Sequence, residues 1–337
     1  MSADRNSQRI VLAGASSLLG SEVKSLLEES RFAGWDLRLV DEDESAGILT
    51  EAGGEAALIQ KVEEGTFRGA RCAFLAGSRG FGQRCLDPAR EARATVIDFS
   101  HAAMSDPDGV PWFPKIEALG GKSVSKESPV FGVLSAGGMA IASLALALRR
   151  FGLQRLVAVV YEPVSEAGRA GVEELESQTS QLLSFQSVGN RVFGTQAAFN
   201  MLPRFGSESR VVLQEKLLEL RAEISAAVGD AEEDPKISVN LVHAPVFYGT
   251  TFSVCADLAN TADAAALAQA VKEAGFAVVP TEEAGPSNVS VAGDTVLYLS
   301  APRPDTAREN CWWFWGAGDN LRVPAASGIK LAEWLDS

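Results

Sequence analysis

The side chains able to do covalent chemistry are few and scattered. The chain has four cysteines, Cys72, Cys85, Cys255 and Cys311, and two histidines, His101 and His243. No two cysteines form a CxxC pair, so neither a dithiol redox motif nor a disulfide framework is expected. A zinc site draws on three or four converging nitrogen and sulfur ligands, and two isolated histidines do not suggest one. One spacing does point to a ligand. Gly14-Ala15-Ser16-Ser17-Leu18-Leu19-Gly20 follows the apolar run 9–13 and precedes an amphipathic stretch. In that context the outer glycines permit a tight turn and close helix packing, and N–H groups at the helix start can hold a pyrophosphate. Ser17 stands where a central glycine would let the backbone approach the phosphates more closely.

The elements that must position these residues fall into two kinds. The first part alternates short apolar runs with amphipathic stretches, the mark of βα units on a parallel sheet. Strands are expected over 9–13, 36–40, 72–76 and 95–98. A helix over 21–29 carries Val23, Leu26 and Leu27 at helical spacing. Residues 77–82 are glycine-punctuated and read as a loop at a strand end facing a ligand. From Phe131 the character changes. A long Ala- and Leu-rich helix over 139–150 reads as buried on most sides, followed by a strand over 156–161 and helices over 172–183 and 213–228. Strands follow over 237–241, 247–255, 276–279, 295–300 and 312–315, with a charged turn at 232–235 and a closing helix over 325–335. Strands gathered after helices indicate α+β architecture with a largely antiparallel sheet.

At 337 residues, 46% hydrophobic and 22% charged, the chain suits two folded domains. Its net charge of -14 repels phosphate backbones and anionic lipids, so neither nucleic acid nor membrane is an expected partner. No run of eighteen apolar residues is present, and the polar start Met1 to Gln8 does not read as a secretory signal. The expected address is the cytoplasm.

Longer segments carry a family resemblance. Tyr161-Glu162-Pro163-Val164-Ser165-Glu166-Ala167-Gly168-Arg169-Ala170-Gly171-Val172-Glu173-Glu174-Leu175 resembles a strand-to-helix segment of aspartate-semialdehyde dehydrogenases. Phe199-Asn200-Met201-Leu202-Pro203, His243-Ala244-Pro245-Val246-Phe247-Tyr248-Gly249 and Asp319-Asn320-Leu321-Arg322 are similar to that family in order and approximate spacing. So are Val96-Ile97-Asp98 with Ser100, and Ser45-Ala46-Gly47. The resemblance runs over nearly the whole chain, and segments 199–203 and 244–249 look like its USG-1-like branch. It implies an α/β protein: a Rossmann-type parallel-sheet domain over 1–130, an α+β dimerisation domain over 131–318, and a C-terminal helix over 319–337 returning to the first domain. It also implies a homodimer.

The family's reaction uses a thiolate nucleophile, a base, a nicotinamide cofactor and cations that hold the substrate's carboxylate and phosphate. The resemblance places the cysteine in a turn that here reads Val133-Leu134-Ser135-Ala136-Gly137-Gly138-Met139. Ser135 is the nearest substitute. Its hydroxyl is far less acidic than a thiol, and its expected role is to cap the helix. The family's arginine and histidine positions are His243 and Thr250. Threonine is no base near neutral pH, a neutral histidine holds a carboxylate weakly, and His243 reads as a satisfied histidine at a strand edge. Glu162 stands for an active-site glutamine and Ala103 for a phosphate-binding arginine. Lys216 falls near the substrate lysine but reads as part of a solvated helix face.

Where the resemblance places an arginine for the 2′-phosphate of NADP, this chain has Asp43-Glu44. Each close like-charge contact costs about 1 kcal/mol near a surface, so NADP is disfavoured. The same acids suit the ribose hydroxyls of NAD. The expected cofactor is NAD or none. The residues expected at a nucleotide are Gly14, Ala15, Ser16, Ser17, Leu18, Leu19, Glu44, Ala76, Gly77 and Asn320; no catalytic or metal-binding residue is expected. The expected function is a catalytically inactive family member, a homodimeric binding or regulatory protein for a protein partner or small acidic metabolite. The alternative is an NAD-dependent oxidoreductase acting on an aldehyde or semialdehyde without a covalent intermediate. Trp312-Trp313-Phe314-Trp315 is expected in dimer or core packing, and exposed indoles there would mark a partner site.

Overall fold

Strands buried at nearly every position rather than at alternate ones are covered on both faces, and four such runs form the centre of a parallel sheet. The computed structural model describes residues 8–229 and 236–337, so the charged turn expected over 232–235 lies outside the described residues. The chain divides into two units. One holds the residues up to Pro114 with Lys122–Leu134 and Pro324–Ser337; the other holds Lys115–Gly121 and Ser135–Val323.

The first unit contains β1 (Arg9–Ala13), α1 (Leu18–Glu29), β2 (Asp36–Asp41), the hairpin β3 (Leu49–Ala52) and β4 (Glu55–Leu58), and β5 (Gln60–Lys61). It continues with β6 (Cys72–Leu75), α2 (Arg79–Glu91), β7 (Thr95–Asp98), β8 (Gly109–Trp112) and β9 (Val130–Val133). Seven strands pair in parallel in the order β5-β2-β1-β6-β7-β9-β8. The order reverses between β1 and β6. At such a switch point the loops leaving the carboxyl ends of neighbouring strands diverge and open a crevice for a ligand. The β1–α1 turn and the β6–α2 turn both lie there.

Two expectations are corrected in this unit. Of the loop expected over 77–82, only Gly77 and Ser78 are loop. Ser78 caps α2 by accepting the Phe81 N–H, and Phe81, Cys85, Leu86 and Ala89 are buried at helical spacing, which outweighs the two glycines. The helix expected over 21–29 begins at Leu18, because Ser17 accepts the Gly20 N–H and so starts it one turn earlier. β8 and β9 were not expected. β8 contains Pro111, which argues against a strand in sequence but is tolerated here at the sheet edge.

The second unit contains α3 (Ala136–Leu148), β10 (Leu153–Glu162), α4 (Gly168–Leu183), α5 (Leu213–Val228), β11 (Lys236–His243) and β12 (Thr250–Leu258). Then follow α6 (Ala264–Glu273), β13 (Ala277–Val279), β14 (Tyr298–Ser300), β15 (Arg303–Pro304), β16 (Cys311–Gly318) and α7 (Arg322–Asp336), whose residues from Pro324 onward belong to the first unit. The sheet runs β11-β10-β12-β16-β14-β13, with β15 also on β16. Its β10–β12, β12–β16, β14–β16 and β15–β16 pairs are antiparallel, and β10–β11 and β13–β14 are parallel. The expected α+β architecture with a mostly antiparallel sheet is what forms. Every residue of α3 is buried. The helix expected over 139–150 begins at Ala136, directly after its cap Ser135. The strand expected over 247–255 begins only at Thr250, because Gly249 at φ +85° ends a turn through Phe247 and Tyr248. Trp313 and Trp315 are 37% and 39% exposed, with their indole N–H groups donating to Asp305 Oδ2 and the Pro286 carbonyl. No helix among the described residues is long and apolar enough to cross a membrane.

The close approach at the switch point rests on Gly14. Its φ is +86°, and a Cβ there would overlap the backbone of Gly77. Gly14→Ala is expected to lower the unfolding free energy by about 2 kcal/mol or more. Urea titration at fixed protein concentration measures it; a midpoint equal to the wild type would mean that the turn is not packed as described.

Candidate functional site

In the first unit the switch point gathers most of the residues expected at a nucleotide. The Gly14 N–H donates to the Val40 carbonyl (2.9 Å), tying the end of β1 to β2. Ser17 Oγ donates to the Ala76 carbonyl (2.8 Å) and accepts the Gly20 N–H (2.8 Å), joining the two diverging turns. Gly14, Ala15, Ser16, Ser17, Leu18, Leu19, Ala76 and Gly77 are thereby brought to one place. Glu44 lies exposed in the loop after β2. Asn320 belongs to the second unit, where it is buried. Its amide accepts the Gly249 N–H (2.9 Å) and donates to Ser165 Oγ (3.0 Å) and Glu166 Oε1 (2.8 Å).

Two carboxylates here were missed. Asp41, the last residue of β2, is buried and accepts the N–H groups of Ser16 (2.7 Å) and Glu42 (2.8 Å). Glu42 accepts from Ser78 Oγ (2.7 Å) and lies 3.7 Å from the Arg84 guanidinium. The signal was available, because the end of the second strand is where an acid meets ribose hydroxyls in this kind of fold. Asp43-Glu44, two residues further on, carry the same acidic signal past the strand end.

In the second unit the position that the resemblance gives to a nucleophile is occupied by a serine and a buried carboxylate. Ser135 caps α3, with Oγ accepting the Gly138 N–H (3.1 Å). Glu223 of α5, 1% exposed, uses Oε2 to accept both the Ser135 N–H (2.8 Å) and the Ser135 hydroxyl (3.0 Å). A Cβ on Gly138 would overlap that carboxylate oxygen, so the glycine makes the room it fills. An anion at a helix N-terminus is favourably placed, because the first-turn N–H groups lack partners within the helix.

Lys216 corrects the reading of it as a solvated residue. It lies three and seven residues before Glu219 and Glu223, on the same face of α5. Its Nζ is 3.8 Å from Glu162 Oε1 and 3.9 Å from Glu166 Oε2. Burial works against its charge, but Glu162, Glu166, Glu219 and Glu223 outweigh burial and raise its pKa above the ordinary lysine value. Lys216 thus faces four carboxylates.

His243 is spent elsewhere. It is fully buried, its Nε2 lies 3.3 Å from the Ala197 carbonyl, and its ring packs on Phe193 and Phe205. Burial pulls its pKa below the ordinary value. It is a satisfied histidine on an edge strand. Thr250 begins β12 beside the Ser135 turn, with its methyl 4.0 Å from where a Gly137 Cβ would stand. Cys255, five residues further along β12, is roughly 17 Å away at strand rise. Cys311 pairs with Asp257, at the same far end of that strand. Cys72 and Cys85 lie in the first unit, buried, each with its thiol pushed up to about 12 by burial.

The sequence profile of the semialdehyde dehydrogenase dimerisation domain matches residues 144–323. This chain belongs to the semialdehyde dehydrogenase family. The aspartate-semialdehyde dehydrogenase of Rickettsia bellii is 26% identical over 334 residues, covering 97% of each chain. The USG-1 protein homolog of Azotobacter vinelandii is 29% identical over 342 residues, again covering 97% of each. The structure of a probable aspartate-semialdehyde dehydrogenase from Pseudomonas aeruginosa superposes with a TM-score of 0.86 at 25% identity, covering 98% of both chains. Relatives of both names thus match this semialdehyde dehydrogenase chain from end to end.

Two outcomes follow from this geometry. Glu223→Ala strands the Ser135 N–H and hydroxyl in a buried place and is expected to cost about 2–4 kcal/mol of stability; Glu223→Gln, which keeps an acceptor oxygen, is expected to cost less. Equal losses in chemical denaturation would refute the hydrogen-bond account. His243 is held neutral in the fold, below its ordinary value of 6.5, so the unfolded chain takes up a proton first as the medium is acidified. Stability therefore falls as pH drops below 6.5, and this contribution vanishes above that value. His243→Asn should flatten that acid-side slope; a variant with the wild-type slope would assign the titration to other groups.

Proposed function

We propose that this semialdehyde dehydrogenase family member is catalytically inactive towards semialdehydes and acts as a homodimeric binding or regulatory protein. The observation that carries the reading is the double hydrogen bond from Ser135 to Glu223. Covalent aldehyde oxidation needs a nucleophile with a free lone pair, a base for its proton, and N–H donors aimed at the oxygen that becomes anionic. Here Glu223 could take the serine proton, but it also occupies the adjacent backbone N–H, and Ser135 is already engaged as the cap of α3 through the Gly138 N–H, so no free N–H donor faces the oxygen that would become anionic. A carboxylate fixed at that point repels a developing oxyanion instead of stabilising it. The acids around Lys216 oppose an anionic substrate in the same way.

The turn at the switch point supports retained nucleotide binding through Gly14, Ala15, Ser16, Ser17, Leu18, Leu19, Ala76 and Gly77. Asp41, Glu42 and Glu44 disfavour the 2′-phosphate, so the nucleotide in this reading is NAD and not NADP. Asn320 is not counted among these residues, since its amide is spent within its own unit on Gly249, Ser165 and Glu166. The same intact turn favours the second reading, an NAD-dependent oxidoreductase that transfers hydride without a covalent intermediate.

One pair of measurements separates the readings. Protein incubated with aspartate semialdehyde, phosphate and either nicotinamide dinucleotide is expected to show no change in absorbance above background. Turnover of about 1 s⁻¹ or faster would overturn the inactive reading. In a thermal-shift series NAD is expected to raise Tm, with about 2.7 kcal/mol of stabilisation at a hundredfold excess over Kd, and NADP to raise it less. A Tm indifferent to NAD would remove the nucleotide from the proposal.

A further inference from the structure

The two remaining thiols sit together in the second sheet, away from the cluster around Ser135. β12 and β16 are antiparallel neighbours, with Cys255 opposite Trp313 and Cys311 opposite Asp257. Side chains two apart on a strand share a face, so Cys255, Asp257, Cys311 and Trp313 all project from one side of the sheet. Cys255 and Cys311 converge across the diagonal to an Sγ–Sγ separation of 3.2 Å. A disulfide bond is about 2.0 Å long, so the gap to close is roughly 1 Å. Cys255 is half-buried and Cys311 is buried.

We propose that Cys255 and Cys311 form a reversible disulfide within one chain when the protein meets a peroxide. Cys255 is the more exposed sulfur and reacts first. Its thiolate attacks one peroxide oxygen, the O–O bond breaks, and the departing hydroxide leaves as water with the proton that the thiol released. The sulfur is oxidised to a sulfenic acid and the peroxide is reduced. The Cys311 sulfur then attacks the Cys255 sulfur; the S–S bond forms, the S–O bond breaks, and hydroxide leaves as water with the Cys311 proton. Two thiols and one hydrogen peroxide give one disulfide and two waters. The Cys311 thiol is pushed up to about 12, by burial first and then by Cys255 and Asp257, which makes it a poor first nucleophile; oxidation of Cys255 removes that thiol's share of the shift before the second step. Because the attacking and resolving sulfurs already touch, the second step behaves as an intramolecular reaction at high effective concentration. Neither the nucleotide turn nor the Ser135 cluster takes part, so the inference stands apart from the proposed function.

The full chain is treated with hydrogen peroxide, alkylated under denaturing conditions, and analysed by mass spectrometry before and after dithiothreitol. The free-thiol count is expected to fall from four to two, with a Cys255–Cys311 linked peptide, a mass lower by two hydrogens, and full recovery on reduction. Cys72 and Cys85 are expected to remain thiols. In Cys311→Ser the reaction should stop at a sulfenic acid on Cys255 that a carbon nucleophile such as dimedone traps. In Cys255→Ser the remaining three thiols should persist. A wild-type count that stays at four, a bridge between two chains on a non-reducing gel, or first loss at Cys72 or Cys85 would each overturn the assignment.

Discussion

The chemistry of the second unit turns on one carboxylate at the end of one helix. Glu223 reaches from α5 to the start of α3 and binds both donors of Ser135. α3 is buried along its whole length, so its first-turn N–H groups meet little water and need partners from the protein. Ser135 supplies one acceptor and Glu223 supplies another. Gly138 is required because any side chain would occupy the space of the carboxylate. A buried anion must be well partnered, and here the helix terminus and two hydrogen bonds partner it. That same arrangement fixes Ser135 as a helix cap and takes up its backbone N–H.

The surrounding acids extend the effect. Glu162, Glu166, Glu219 and Glu223 hold Lys216 charged in spite of its burial. Lys216 therefore serves as an internal counter-ion to these carboxylates. Asn320, through Ser165 and Glu166, ties the turn at Gly249 to the same group of residues. In the first unit, too, an acid takes a backbone donor of the ligand-facing turn, Asp41 on the Ser16 N–H. In both units a carboxylate from another element thus accepts a backbone N–H at the start of a helix or turn.

Wherever one strong local signal existed, the fold was legible in the sequence. β1, β7 and α5 have the boundaries that their apolar patterns predict, because each ends at a change of pattern. Mixed signals misled. The glycines of 77–82 suggested a loop, although Ser78 and the buried face from Phe81 to Ala89 make most of it helix. Lys216 read as solvated because its own helix is charged; the carboxylates it pairs with come from the end of β10 and from the turn before α4, about fifty residues earlier. Glu223 carried no signal at all, being one glutamate among several on an amphipathic helix.

By itself the sequence determined which side chains are available: no cysteine in the residues leading into the long apolar helix, two histidines in the chain, and acids after the second strand. Those are facts of residue type and order, and folding does not change them. The tertiary structure alone decided which residues meet. Glu223 and Ser135 are 88 residues apart, and Cys255 and Cys311 are 56 apart. Such contacts depend on how helices and strands distant in the chain pack and register, and local periodicity carries no record of that.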